Sequence, residues 1–574
     1  MFKLLIPFSL RPRIGLCLAV IILAAFAETM GLGLIMPLLS TITGQGDQGE
    51  IAGVIASFGG ELSLNRILFL IGAMYAFKFS LLVIRNYLIY GMEWRLRGHW
   101  MASIYEYNLS RDYAEFEKEK PGYINNEITN ETLKAASALR QMLEYTGQVV
   151  LVICLAILLL ISNATYTICI LAVGALALSG IKHLIIPMVE RYGVSRQKYE
   201  GRVYHEVNEM LHGMKPMRFL GLERFFLGRF GKSVDSLVAL MNKAEVISRL
   251  PAQLTEVVVV ILLVTGIYLG TMVWGVDVPS ILPFLGMMVL ILIRLSTNAG
   301  TLANGHTAIK QLWPSVTAIA KSMGRYASTH LPTERCKEHQ GFCFEKHLCF
   351  ENVSFSYEED VPVIKDLNVK FKKGEVSVLM GESGSGKSTL IKLLMKMYQP
   401  IEGRIVVDEM PIDKIPNWQW RSKIGYVDQE HYFFNGTIRE NLTQGRAEVS
   451  DQEINEILEL TRSKQFVENL PKGLDSDIGD KGNALSGGQK ARLDFARALV
   501  LKPKILILDE VTGQLDVETK QHIATAVDKL RKEITIIVVS HDNELAEIAD
   551  CIYEFQGNLL TQRATITAKA LPSE

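Results

Sequence analysis

The chain has 574 residues, 49% of them hydrophobic, seven cysteines and a formal net charge of −1. Such a length exceeds one hydrophobic core and fits two or three domains. Near-neutrality excludes a protein that draws in nucleic acid by its overall field, the odd, scattered cysteines exclude a disulfide framework, and the positive mean hydropathy points to a partly membrane-embedded protein facing the cytoplasm.

Lys3, Arg11 and Arg13 precede an apolar run that reaches Ala25-Phe26-Ala27 and mimics a signal cleavage site. The run resumes through Gly31–Leu39 after only Glu28 and Thr29, so it predicts a retained first transmembrane helix. Further apolar stretches at 67–92, 140–161, 165–187, 254–275 and 281–300 bring the candidate spans to six. The connection 41–63 carries acids but no Lys or Arg, 162–164 is uncharged, and 275–280 carries only Asp277. The other two connections, about 95–134 and 182–249, are long and basic, which places them and both termini in the cytoplasm. Apolar residues recur at helical spacing through both, predicting two helical hairpins that project from the membrane and reverse at Lys120-Pro121-Gly122 and Gly213–Pro216.

Two charges in the second span, Lys78 and Arg85, are seven apart and share a face. Glu28 lies within the first span and Arg294 deep in the sixth. Each costs about 2.5–3.5 kcal/mol at a helix centre, so all must face protein or water. An excess of cations favours an anionic substrate group in a polar cavity built from Glu28, Lys78 and Arg294. The alternatives are pairing of Glu28 with Lys78 and snorkelling of Arg85.

Beyond Ser328 a polar, Pro-containing linker (329–346) leads into alternating strand and helix patterns, so the expected domains are 1–328, membrane-spanning and all-α, and 347–574, α/β. Cys336, His339, Cys343, His347 and Cys349 cluster at the junction, but their spacing matches no standard metal finger.

Gly381-Glu382-Ser383-Gly384-Ser385-Gly386-Lys387-Ser388, followed by Thr389, fits a phosphate loop between a buried strand (376–380) and a helix. In such a loop backbone N–H groups wrap phosphates at a helix N-terminus. Lys387 neutralises the β/γ oxygens and Ser388 offers its hydroxyl to Mg²⁺. A second apolar strand, 505–508, ends in Asp509 and Glu510, a pair suited to holding the metal through water and to polarising the attacking water.

Between them stands Leu485-Ser486-Gly487-Gly488-Gln489, which resembles the signature of the ATP-binding cassette (ABC) family. The resemblance spans essentially the whole chain and implies an ABC exporter half-transporter: a six-helix membrane domain plus a P-loop cassette. It implies that Tyr357 stacks the adenine, Gln429 senses Mg²⁺ and couples to the membrane domain, Asp516 ends a cross-dimer loop, and His541 is the switch histidine at the γ-phosphate. It further implies a homodimer in which the phosphate loop of one copy and the signature of the other enclose each ATP. The membrane domain resembles that of bacterial flippases of lipid-linked oligosaccharides, in the stretch Lys215–Arg224, in Glu28…Gly31–Pro37 and in Arg294-Leu295. Gly513-Gln514-Leu515-Asp516 departs from the family's usual Ser-Ala-Leu-Asp, and Asp480 stands where exporters more often carry Glu; neither change removes a catalytic group. The expectation is ATP-driven export or flipping of an amphipathic substrate across a bacterial cytoplasmic membrane, without nucleic acid. Peptide or drug export is the alternative within the class, and an ATP-gated channel the alternative outside it.

Overall fold

The computed structural model describes residues 2–43, 64–119, 121–162, 186–272, 278–328, 344–357, 361–382, 384–446, 449–479, 482–511, 517–540, 543–556 and 559–563. They form two compact units, one of Met1–Arg111 with Glu119–Leu331, the other of Asp112–Lys118 with Pro332–Glu574.

The first unit is helical. Its main helices are α1 (Arg11–Gly33), α2 (Ile35–Ile42), α3 (Leu64–Ser110), α5 (Thr132–Ser162), α6 (Ile186–Phe219), α7 (Glu223–Met272) and α8 (Val278–Ser328); the one-turn helix α4 (Tyr113–Glu117) falls with the second unit. Among the described residues, Phe8–Ile42, Leu64–Ser110 and Gly122–Ser162 are long and apolar enough to cross a membrane, and Leu285–Leu295 is a shorter apolar helix. Of the predicted fourth span only its last two positions are described. Leu151, Leu155 and Leu159 recur one turn apart along α5, so a single stripe buries against Ala25 and Leu32 of α1 and Met288, Ile291 and Leu292 of α8. A second core gathers around Trp100, whose indole N–H donates to the Leu5 carbonyl at 2.8 Å.

The second predicted reversal point, Gly213–Pro216, is corrected; at the first, Lys120 lies outside the described residues and the helix breaks before Pro121. Pro121 opens a helix (Pro121–Asn126) rather than ending one, where its missing N–H costs nothing. Pro216 is accommodated inside α6, and the chain turns at Gly221. There φ is +64°, and Leu222 N–H donates to Met217 O at 2.9 Å, closing the helix end with a left-handed glycine.

The second unit is α/β. An antiparallel sheet runs β2 (Pro362–Lys372), β1 (His347–Ser356), β4 (Glu402–Val407), β5 (Met410–Pro411). The main sheet runs β10 (Leu559–Arg563), β9 (Cys551–Gln556), β3 (Val376–Gly381), β8 (Thr535–Val539), β7 (Ile505–Asp509), β6 (Ile424–Val427), parallel from β9 to β6. Strands β7 and β8 are buried at every position, as the continuous apolar runs require. Period-two alternation splits them between two cores: Ile505, Ile507, Ile537 and Val539 join the core holding helix α9 (Lys387–Leu394), while Leu506, Leu508, Ile536 and Val538 pack against α12 (Gly487–Val500) and α13 (Val517–Leu530). A third core joins α10 (Ile438–Thr443), α11 (Asp451–Leu460) and the other side of α12.

Candidate functional site

The parallel registers bring the carboxyl ends of four strands to one edge. Leu379 of β3 and Asp509 of β7 both oppose Val539 of β8, and Leu508 opposes Val427 of β6. The residues that follow are the phosphate loop, Ser540, Glu510 and Asp428-Gln429, so groups far apart in sequence become neighbours outside the sheet, where open α/β folds bind ligands.

The phosphate loop needs its glycines for backbone reasons. Gly381 has φ +148°, and a Cβ there would lie 2.8 Å from Phe555 Cβ; Gly386, capping α9, has φ +104°. Gly384 and Ser388 are exposed at the mouth of the loop, with Glu382 beside them. Lys387 is buried, its ammonium donating to Gly381 O at 2.7 Å and Glu382 O at 2.8 Å. Burial lowers its pKa, opposed by the carboxylates of Glu510 and Asp509. The Ser385 hydroxyl is buried with no hydrogen-bond partner among the described residues. These are the parts of a loop shaped to receive an anion: a charged donor held by its own loop carbonyls, and an unsatisfied hydroxyl.

Asp509 is 8% exposed, and burial, with Asp428 and Glu510 nearby, pushes its pKa up to about 6. Tyr426 opposes this, its hydroxyl donating to Asp509 at 3.3 Å and to Asp428 at 3.4 Å. Nothing in the sequence pattern singled out Tyr426; its place depends on the pairing of β6 with β7. Glu510 sits at φ +47°, and its Oε2 accepts from Gln429 Nε2 at 2.9 Å. Tyr357, 44% exposed, follows β1 and meets Thr389 Oγ1 at 3.1 Å. Ser383, Asp480, Asp516 and His541 lie outside the described residues, as do Cys336, His339 and Cys343.

The signature residues are built on different support. Leu485 belongs to the third core, and Ser486 caps α12 through a reciprocal pair, its hydroxyl accepting from Gln489 N–H at 3.3 Å while its own N–H donates to Gln489 Oε1 at 2.9 Å. Ser486 and Gly487 are exposed, and a Cβ on Gly487 would meet nothing within 4 Å among the described residues. The helix N-terminus they open therefore presents Ser486 and Gly487, with the half-buried Gly488 behind them, as an anion-receptive surface. Ser486→Ala should cost about 1 kcal/mol through loss of the cap, read as a lowered melting temperature.

The chain matches the family model described as ABC transporter over residues 364–513 and the ABC transporter transmembrane region over 14–295. A multidrug resistance ABC transporter ATP-binding and permease protein of Lactococcus lactis subsp. lactis is 30% identical over 456 residues, covering 78% of this chain and 75% of that protein. The chain belongs to the ABC transporter family. This ABC transporter is also 28% identical over 538 residues to a protein of the same description from Lactococcus lactis subsp. cremoris, covering 92% of this chain and 86% of that one. Its fold is shared with a solved bacterial Atm1-family ABC exporter with ATP bound, at TM-score 0.73 and 20% identity over 96% of this chain and 94% of the other. Membrane domain and cassette are thus joined in one chain, and the cassette is an ABC-type, ATP-binding ATPase coupled to transmembrane transport.

In the transmembrane domain, Glu28 is 7% exposed and takes both Lys78, at 3.2 Å, and Arg294 as partners. The pairing of Glu28 with Lys78 weighed from the sequence is therefore present, and it includes Arg294. A cavity of about 150 Å³ opens beside them, lined by Glu28, Arg85, Gln148 and Arg294 among others. Arg85 and Gln148 were not singled out as site residues. The seven-residue spacing that put Arg85 on the face of Lys78 was the available signal; Gln148, on another helix, had none.

Proposed function

We propose that this ABC transporter works as a homodimer that uses ATP to move an amphipathic substrate with an anionic headgroup out of the cytoplasm. The observation that carries the headgroup is the pairing of Lys78 and Arg294 with one carboxylate, Glu28, beside a cavity that Arg85 also lines. Three cations against one acid leave net positive charge, which low-dielectric surroundings make attractive to a phosphate or pyrophosphate.

At the cassette, Tyr357 stacks the base, the N–H groups of residues 381–389 and Lys387 receive the phosphates, and Glu510 accepts a proton from the attacking water, oriented by Gln429. His541 contacts the γ-phosphate and Asp516 ends the cross-dimer loop. Ser388, Gln429 and Asp509 offer hard oxygen donors that fit Mg²⁺; the buried, charge-crowded Asp509 in particular favours a cation beside it. Bound there, Mg²⁺ supplies neutralisation of phosphate charge.

The homodimer reading is supported by the exposed signature, whose anion-receptive surface stands on another core from the phosphate loop. Two exposed apolar features fit the same reading: the tip carrying Leu211, Phe219 and Leu220, and a cassette groove of about 630 Å³ rimmed by Trp418, Tyr432 and Phe434. Cassettes, linker and both termini then lie in the cytoplasm, with domain limits at 328 and 347. The named relatives favour a second reading, efflux of drugs.

The discriminating experiment is ATP-dependent flipping of a lipid-linked oligosaccharide in proteoliposomes. Wild-type flipping, reduced about tenfold or more by Arg294→Ala, is expected. Intact ATPase stimulated by apolar drugs, with no flipping, would reject the headgroup reading.

A further inference from the structure

The segment Asp112–Lys118, threaded between α3 and α5 in sequence, folds as part of the cassette unit. Its one helical turn, α4, meets the aromatic cluster to which Tyr357 belongs. Tyr357 packs edge-on against Phe355 at 5.0 Å and Tyr398 at 5.2 Å between ring centroids. Tyr398 in turn meets Tyr113 of α4 edge-on at 6.2 Å, and its hydroxyl donates to the Glu117 carboxylate. Lys392 of α9 donates to the same carboxylate at 3.1 Å. Its ammonium stands 5.6 Å from the centroid of Tyr357 and 5.7 Å from that of Tyr398.

One carboxylate therefore holds both groups that frame the exposed ring. Burial would lower the pKa of Lys392, but the bond to Glu117 together with the charges of Tyr357, Glu117 and Tyr113 outweighs it and keeps the ammonium charged. A charged group held at this distance over a ring is attracted to its face. Without its counter-ion, it would be free to cover the face a base must use. The Glu117 side chain is 40% exposed and that of Lys392 30%. An ion pair so placed contributes little to stability, so its consequence lies in where it puts Lys392 and Tyr398.

We propose that Glu117 is a positioning residue for the nucleotide base: by holding Tyr398 and Lys392 it keeps the Tyr357 ring set to stack adenine, so the first cytoplasmic connection is tied to base occupancy within a single chain. The inference rests on the reading of Tyr357 as the base-stacking ring. It requires Glu117 to act on the base and not on the phosphates, which a base-free competitor can separate.

The test uses the full-length transporter in proteoliposomes and compares inhibition of its ATPase by ADP and by tripolyphosphate, a probe without base or sugar. Glu117→Gln and Tyr398→Phe are near-isosteric changes that keep the ring contacts. Each should raise the KM for ATP and the Ki for ADP by about fivefold, with the Ki for tripolyphosphate moving less than about twofold. Tyr357→Ala should shift the same ratio further. If the two variants move ADP and tripolyphosphate equally, or move neither, while Tyr357→Ala shifts ADP selectively, Glu117 is a surface ion pair only and the proposal is overturned. If Tyr357→Ala itself leaves the ratio unchanged, the base reading falls and this inference with it.

Discussion

Glu510→Gln should abolish turnover while leaving ATP bound. The expected loss is about 10²- to 10⁴-fold in phosphate release, the range that a general base supplies. The substitution removes basicity with little else. The amide is near-isosteric, its oxygen still accepts from Gln429, and the backbone at φ +47° is fixed by the N–H bond to Val539 O at 2.9 Å, not by the side chain. A residue held in the left-handed region without being glycine costs about 1–3 kcal/mol, and such positions cluster at functional sites. Because hydrolysis, not binding, is lost, nucleotide should accumulate at the interface and hold two cassettes together by mass action. Size-exclusion chromatography with light scattering, run with and without Mg-ATP, reads this directly. The variant should form a persistent ATP-dependent dimer of cassettes where wild type forms a transient one. Wild-type phosphate release from Glu510→Gln would remove Glu510 from the reaction.

How far the sequence reaches depends on whether the relevant physics is local. The phosphate loop was legible because its glycines answer to their own backbone: Gly381 and Gly386 take φ values that other residues rarely adopt, and the flanking strand and helix are recognisable alone. The strand ending at Asp509 was legible because burial on both faces demands an unbroken apolar run. Tyr426 was not, since its bonds to Asp428 and Asp509 arise only when β6 pairs with β7. Nor was the link from Glu117 to Tyr398, residues separated by 281 positions. The charged residues of the membrane domain were half legible. Their cost in lipid required partners, but that Glu28 would take both Lys78 and Arg294, with Arg85 and Gln148 lining the same cavity, depends on how α1, α3, α5 and α8 pack. Proline misled at 216 because its effect on a helix depends on position. Near the end of α6 it removes one bond, whereas Gly221 supplies the left-handed turn that stops the helix.

Asp509 carries the second large effect, one of opposite sign with and without nucleotide. Its carboxyl is held near 6 rather than near its ordinary 3.8, because it is buried beside Asp428 and Glu510. A raised carboxyl pKa means that the folded cassette binds the proton more tightly than the unfolded chain. Stability is therefore lost as pH rises from about 4 to about 6, and the full cost, up to about 3 kcal/mol, stands above that window. Asp509→Asn removes the titrating group. In the absence of nucleotide the variant should be the more stable at pH 8, by several degrees in melting temperature, with the gap shrinking to about a third at pH 4.5. With ATP and Mg²⁺ the order should reverse. The crowded negative charge that destabilises the empty site is what favours a cation there, so wild type should gain several degrees from ligand and the variant little. A melting-temperature gap independent of pH, or a variant less stable than wild type without nucleotide, would mean that Asp509 is satisfied by its neighbours alone. In that case Tyr426, whose hydroxyl donates to it, would be the residue to remove next.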